Sequence, residues 1–321
     1  MDYFYENECP VCRNSKGRKK YNIRYYSNKV LDLLGINKPY PRVIIKVCEV
    51  CSHNYSSPML KEDFMFKYYN KLNSHFYDKS NIPEKDDLEQ EHLKIFYLIK
   101  QIFKNKTGKI LEIGCGYGYL LKKFKTEGWE AYGVEPSPHA SRIARLVNNI
   151  SVTNGYIEDL KGMSNTFDVV ILFDVIEHIS NANKMIKNIE NLLKPGGILI
   201  FGTGNCDSIN AKLNGSTWAY YSTWEHVSFF NKKSSVHLLE NNGFNLLKIK
   251  TTSHRGSFNK NMINFIKNIL LYKPLNIFNP LISNIPYLRD KYKYKNFIRN
   301  KVSFSELCFD HMIVIAKKLL S

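Results

Sequence analysis

From residue 108 onward, short apolar runs and helical periodicities take turns along the chain. That alternation limits the fold more than any other feature. Residues 109–113 are an apolar run ending in glycines, and 119–127 place Leu120, Leu121 and Phe124 at helical spacing. The same reading predicts strands at 131–134, 150–153, 167–173 and 198–202, with helices at 138–148 and 182–193. Residues 167–173 are almost continuously apolar, as in a strand covered on both faces. Lys194-Pro195-Gly196-Gly197 is read as the stop of the second helix. A helix at 233–241 and apolar strands at 244–250 and 307–316 continue the pattern, and residues 256–304 interrupt it. Upstream, 88–105 also carries helical spacing. Strand and helix in regular alternation argue for an α/β, doubly wound, parallel sheet.

Ahead of this block, four of the seven cysteines form two pairs, Cys9-Pro-Val-Cys12 and Cys48-Glu-Val-Cys51. A C-x-x-C turn presents two thiolates from one knuckle, and two knuckles complete a tetrahedral four-sulfur site for Zn²⁺. The alternative is two disulfides. No basic-then-apolar leader is read at the N-terminus, so the protein is expected in the cytoplasm, where thiols stay reduced. Structural zinc held by Cys9, Cys12, Cys48 and Cys51 is therefore expected, and metal binding would supply folding energy to so small a segment. A hairpin or helical insertion around 30–34 would fill the long gap between the knuckles. Cys115, Cys206 and Cys308 read as packing residues.

The expected organisation is a zinc ribbon over 1–60, a helical linker or cover over 61–105, an α/β domain over 106–255 and 305–321, and a helical insertion over 256–304. A length of 321 residues suits roughly two domains of ~150 each. With 44% hydrophobic residues the chain can bury a sizeable core, which excludes a disordered or disulfide-stapled miniprotein. No apolar run of ~18 residues suggests a membrane span. Lys and Arg number 46 against 29 Asp and Glu, a net charge of +17. Such an excess suits a polyanion or an anionic membrane face, though a chain this rich in Asn, Tyr and Ile also fits compositional drift.

The strand that ends Leu111-Glu112-Ile113-Gly114-Cys115-Gly116-Tyr117-Gly118 and opens a helix is a nucleotide-type loop. Glycines let backbone approach a ligand, and the helix N-terminus favours negative charge. The next strand ends in Gly133-Val134-Glu135-Pro136, which puts a carboxylate where a ribose diol would sit, close to the roughly 20-residue spacing expected of such loops. LEIGCGYG, GVEPS, FDVVILFDVIEHI and LLKPGGILI, in that order, resemble the class I S-adenosylmethionine-dependent methyltransferases, from about residue 108 to 247. The resemblance implies a mostly parallel, seven-stranded Rossmann-like sheet. It implies that Gly114, Cys115, Gly116 and Gly118 surround the methionine part of the cofactor and that Glu112 lies near its amino group. Glu135 would bind the ribose hydroxyls, Pro136 would lie near the adenine, Ile157 and Glu158 would cap the adenine edge, and Asp174 would sit beside the methionine.

Two features lie where a base or Lewis acid could act on an acceptor. Asp174, Glu177 and His178 would share one face of a helical turn, and Glu225-His226 follows the fifth strand. The first pattern is similar to the ExxEH of small-RNA 2′-O-methyltransferases and of ubiquinone-pathway O-methyltransferases, with Asp174 in place of the first Glu. Three roles stay open: a divalent cation at Asp174, Glu177, His178 and His226; His178 or His226 as a base, with Glu177 beside them; or structural roles for all.

The cysteine module and WEHVSFFNKKSSVHLLENNGF resemble bacterial methyltransferases of sugar and surface-polysaccharide pathways, which implies a small-molecule saccharide acceptor. Apolar residues and the basic run 289–301 in the insertion suit a lid, or contact with an anionic membrane on the inner face, or a dimer interface. An RNA methyltransferase and a non-catalytic cofactor-binding scaffold are the competing readings.

Overall fold

The computed structural model describes residues 4–23, 43–60, 90–222, 225–252 and 310–320. The expected insertion at 256–304, the linker stretch 61–89, the feature near 30–34 and Trp224 lie outside the described residues. Among the described residues no helix is long and apolar enough to cross a membrane.

The N-terminal segment is built of short strands. β1 (Phe4–Tyr5) pairs with β5 (Met59–Leu60), and β2 (Gly17–Ile23), β3 (Val43–Cys48) and β4 (Asn54–Ser57) form an antiparallel sheet. The cysteine pairs sit in the turn before β2 and the turn between β3 and β4. α1 (Gln90–Ile102) buries Ile95, Phe96 and Ile99 and leaves Tyr97 outside.

The alternating block then follows its expected order. β6 (Lys109–Ile113), α2 (Tyr119–Thr126), β7 (Glu130–Glu135), α3 (Pro138–Leu146), β8 (Ser151–Asn154) and β9 (Phe167–Phe173) run in sequence. α4 (Ala182–Leu192) leads directly into β10 (Leu193–Gly204). Here the structure differs from the sequence expectation. Lys194-Pro195-Gly196-Gly197 belongs to the strand as an irregularity between Leu193 and Ile198, because Gly196 takes φ +75° and absorbs the kink. Beyond it lie α5 (Ile209–Asn214), α6 (Ala219–Ser222), β11 (Ser228–Phe229), α7 (Lys232–Glu240), β12 (Phe244–Thr252) and β13 (His311–Lys318).

The large sheet has seven strands in the order β12-β13-β10-β9-β6-β7-β8. β6 is parallel to β7 and β9, β9 to β10, and β13 runs antiparallel between β10 and β12. The chain winds outward in one direction from β6 through β8 and in the other from β9, so the carboxyl ends of β6 and β9 lie side by side. That is the switch point at which open α/β sheets bind ligands.

Period-two alternation assigns the two cores. Val169 and Ile171 of β9 pack with Ile110, Phe96, Leu121 and Phe124 on the α1, α2 side. Val170 and Leu172 pack with Leu111, Phe201, Ile186, Ile189 and Leu238 on the α4, α7 side. The second cluster also contains Cys9, Val11, Cys48, Cys51, Tyr55 and Met59, so the cysteine module shares a hydrophobic core with the α/β domain. The backbone joins them too: β11 pairs with β4, Ser228 opposite Tyr55 and Phe229 opposite Asn54, as the edge strand of the order β11-β4-β3-β2.

Candidate active site and cysteine centre

After β6 the chain turns through Gly114, Gly116 and Gly118, all left-handed, at φ +71°, +51° and +73°. A side chain at Gly114 would be strained by that φ, and its Cβ would also come within 2.6 Å of Val175 Cγ2. The Cys115 thiol points down into the sheet, where a Cβ on Gly133 would come within 2.5 Å of its Sγ. Cys115 thus contributes backbone to the loop and its side chain to the core.

Glu135, at the end of β7, is buried, and its carboxylate organises this loop. Oε2 accepts from Gly116 N at 2.9 Å and Oε1 accepts from Ser137 N at 2.8 Å. Burial raises its pKa, and those two N–H groups pull it back down. Glu112 is also buried, and burial with the nearby Glu135 charge pushes it up to about 8. Its Oε2 is an orphan without a hydrogen-bond partner among the described residues. A buried, unmatched carboxyl beside a glycine cradle fits the ammonium and diol of S-adenosylmethionine: the residues present suit the cofactor. Ile157 is buried in a 3-10 turn, Ile157–Asp159, below the end of β8. Glu158 of that turn instead reaches α4, accepting from Asn188 Nδ2 at 3.3 Å and lying 3.4 Å from Lys184 Nζ. The Pro136 carbonyl accepts from Asn154 Nδ2 at 3.1 Å.

Asp174 follows β9 in a left-handed conformation, φ +52°, with its N–H donating to Gly202 O. The following Ile176–His178 is a 3-10 turn, and of the three polar residues expected on one face it keeps Glu177 and His178 together and leaves Asp174 outside their group. Glu177 is fully buried, accepting from Thr203 Oγ1 at 3.0 Å and from the Tyr220 hydroxyl. Burial, then the Asp174 charge, raise its pKa to about 7. Burial lowers His178 to about 4, so it is neutral. His178 Nδ1 lies 3.2 Å from Glu225 O, and His226 Nδ1 lies 3.0 Å from Tyr220 O. A carbonyl only accepts, so in the neutral rings each Nδ1 carries the proton and each Nε2 the lone pair. The two rings meet edge to face at 4.7 Å. Ligand atoms of Glu177, His178 and His226 lie within 4.8 Å of one another, and Asp174 is outside that group. Metal-ligating histidines commonly donate their other ring N–H to a backbone carbonyl, as these two are placed to do, so this trio can take a divalent cation or act as acid and base without one.

The sequence reading did not single out Thr203, Tyr220, Asp310 or His311. His311 opens β13, with Nδ1 3.4 Å from Asp310 Oδ1 and Nε2 3.8 Å from Asp174 Oδ1. Burial opposes its charge, but the carboxylates of Asp310, Asp174 and Glu177 outweigh that and raise its pKa. An adjacent Asp-His pair opening an apolar strand was a usable signal. Tyr220, one tyrosine of 21, offered none.

The two cysteine knuckles share one local geometry. Arg13 N bonds to Cys9 O and Ser52 N to Cys48 O, and Arg13 and Ser52 both take φ +61°. Cys9 Sγ is 3.5 Å from Cys51 Sγ, Cys12 Sγ is 3.5 Å from Cys48 Sγ, and all four sulfurs lie within 4.8 Å of one another. A tetrahedron with Zn–S bonds of ~2.3 Å has edges of about 3.8 Å, so the donor set fits Zn²⁺.

A seven-stranded sheet with this order, a glycine cradle after its first strand and an acidic residue at the end of its second defines the class I S-adenosylmethionine-dependent methyltransferase fold. Residues 88–249, half of the chain, match the methyltransferase domain family, and the chain belongs to that family. Among curated relatives, a ubiquinone biosynthesis O-methyltransferase of Cereibacter sphaeroides is 32% identical over 102 residues, 30% of this chain and 41% of that protein. One from Coxiella burnetii is 29% identical over 163 residues, 47% of this chain and 69% of that protein. The alignments span about half the length of the first such relatives, 41% and 48%. Among solved structures, magnesium protoporphyrin IX methyltransferase from Synechocystis, with bound SAH, aligns at a TM-score of 0.51 and 15% identity, covering 80% of this chain and 100% of that one. A SAM-dependent methyltransferase from Archaeoglobus fulgidus aligns at 0.50 and 18%, covering 76% and 99%.

Proposed function

We propose that the protein transfers the methyl group of S-adenosylmethionine to a hydroxyl of a small-molecule acceptor, and that this acceptor is a saccharide or a nucleotide- or lipid-linked sugar of surface-polysaccharide biosynthesis. The observation that carries the transfer reading is the polar cluster Asp174, Glu177, His178, Thr203, Tyr220, His226 and His311 beside the glycine cradle at the switch point. The cofactor supplies an electrophilic methyl sulfonium, so the chain has mainly to bind, align and remove a proton. Glu112 and Glu135 hold the cofactor end. His178, kept neutral by burial, and His226, each with Nδ1 turned to a backbone carbonyl, can accept the acceptor's proton at Nε2, and Glu177 holds Tyr220 in place. A divalent cation on Glu177, His178 and His226 would serve the same end by favouring the alkoxide.

A sugar fits the density of donors and acceptors in this cluster, and the anionic forms of such sugars suit a chain of net charge +17. Structural Zn²⁺ on the four cysteines belongs to the same reading. A second acceptor class has its own support: the curated relatives are named for ubiquinone biosynthesis, which points to a hydroxyl on a quinone-pathway intermediate.

The test is methyl transfer from methyl-labelled cofactor into a fractionated host lysate. Label in small anionic or lipid-linked saccharides supports the proposal. Label in an isoprenoid phenol moves the acceptor to the second class, and label in RNase-sensitive polymer overturns both. No label in any fraction overturns the transferase reading.

A further inference from the structure

We propose that His53, in the cysteine module, is a positioning residue for methyl transfer: by donating a hydrogen bond from Nε2 to Ser228 Oγ it locks the segment carrying His226 against the turn carrying Glu177 and His178. The consequence for transfer rests on the function proposed above, while the geometry stands on the hydrogen bonds alone.

His53 is fully buried, its ring 4.7 Å from Phe230 and stacked on Tyr55 at 6.5 Å. It belongs to the second knuckle, whose Cys48 N–H donates to His53 O at 2.8 Å. His53 Nε2 lies 3.2 Å from Ser228 Oγ, and Ser228 Oγ lies 3.3 Å from Ile179 O. A carbonyl can only accept, so the one hydroxyl proton of Ser228 goes to Ile179. The hydroxyl must then accept from His53, which places the ring proton on Nε2. Nδ1 is left as a lone pair, buried and without a hydrogen-bond partner among the described residues. Such a group costs stability, and a phenyl ring in the same space would avoid the cost. What the imidazole adds over a phenyl ring is one N–H, aimed at Ser228.

The surrounding bonds show what that N–H completes. Ser56 N donates to Val227 O at 3.0 Å, and Val227 N donates to Glu177 O at 2.9 Å. The residue after His226 is thus held by the module on one side and by the Glu177 turn on the other. Asn231 Nδ2 reaches Ser52 O at 3.1 Å. The first knuckle grips the start of α4, just past His178: Asn183 N bonds to Pro10 O at 3.2 Å and its Nδ2 to Val11 O at 3.1 Å. The second knuckle therefore holds the segment that bears His226, and the first holds the helix that follows His178. The cofactor carboxylates, Glu112 and Glu135, lie on β6 and β7 and take no part in these bonds.

The experiment compares the full chain, purified without chelator, with His53→Phe, His53→Gln and Ser228→Ala, following amide hydrogen exchange of peptides over 176–181 and 225–231. A glutamine amide can donate from near the Nε2 position. Exchange of both peptides should rise at least tenfold in His53→Phe and Ser228→Ala and stay within twofold of wild type in His53→Gln. S-adenosylhomocysteine, titrated calorimetrically, should bind all three within twofold of wild type. Wild-type exchange in both His53→Phe and Ser228→Ala overturns the proposal, as does His53→Gln exchanging as fast as His53→Phe. If His53→Phe does not fold, Ser228→Ala and His53→Gln decide the matter by the same criteria. Methyl transfer by the same preparations keeps the two readings apart: no transfer even by wild type refutes the transferase function, while the exchange data still decide the role of His53.

Discussion

Glu112 and Glu135 stand one strand apart, both buried, yet in different states. Glu135 has two backbone N–H donors, and Glu112 has an oxygen with no partner among the described residues. Replacing Glu135 with Ala removes the contacts proposed for the ribose and also the tether of Gly116 and Ser137. Two lost charge-assisted bonds of ~1.5–3 kcal/mol each predict cofactor affinity at least ~100-fold weaker by calorimetric titration. Glu112 is raised to about 8, so the folded state holds its proton where the unfolded chain has lost it. Its contribution to stability is present at acid pH and is lost as pH rises from the ordinary carboxyl range through about 8. Glu112→Gln should flatten the pH dependence of Tm across that window. An ammonium placed beside Glu112 favours the carboxylate, so binding S-adenosylhomocysteine near pH 7 should release a proton, seen as a dependence of binding heat on buffer ionisation. Glu112→Gln should abolish that release. At this scale the sequence was most legible where a motif combines a residue type with a forced backbone: Gly114, Gly116, Glu135. It was least legible at Tyr220 and Thr203, whose importance comes from contacts that only the fold makes, those with Glu177 above all.

At the scale of elements, the two knuckles are equivalent in backbone but depend on one another for their sulfurs. A Cys9→Ser, Cys12→Ser double variant should lose the metal, expected at about one per chain in wild type by elemental analysis, and should lower Tm by ~10 °C or more. Detection of no metal in wild-type protein would refute the zinc reading. The strand and helix order of the α/β block followed from periodicity because each element there packs against neighbours close in sequence. β2, β3 and β4 escaped that reading. Their apolar pattern is short and their sheet is completed by β11, which lies far along the chain. The turn after β9 departs from the expected shared face for a related reason: i, i+3 and i+4 spacing suits a regular helical turn, but Asp174 at φ +52° and the bond from Val227 N to Glu177 O select a 3-10 turn.

For the molecule as a whole, the large sheet and the cysteine module meet through Phe230, fully buried and packed 6.2 Å from Phe201 and 4.7 Å from His53. Phe230→Ala should cost about 3–5 kcal/mol by denaturant titration, with the fluorescence and metal-release transitions shifting together. Separate transitions would show that the module and the α/β domain unfold independently. The sequence by itself determined the doubly wound class, the glycine cradle, the acidic residue that ends β7 and the pairing of the cysteines. Each of these follows from local periodicity or from residue types whose backbone and donor chemistry leave few choices. Only the tertiary structure decided that β11 completes the module's sheet and that Glu177 is buried beneath Thr203 and Tyr220. It alone placed His178 against His226, with Asp174 beside His311. Those relations join residues tens to hundreds of positions apart, and only the packing of two sheets around a shared core brings such residues into contact.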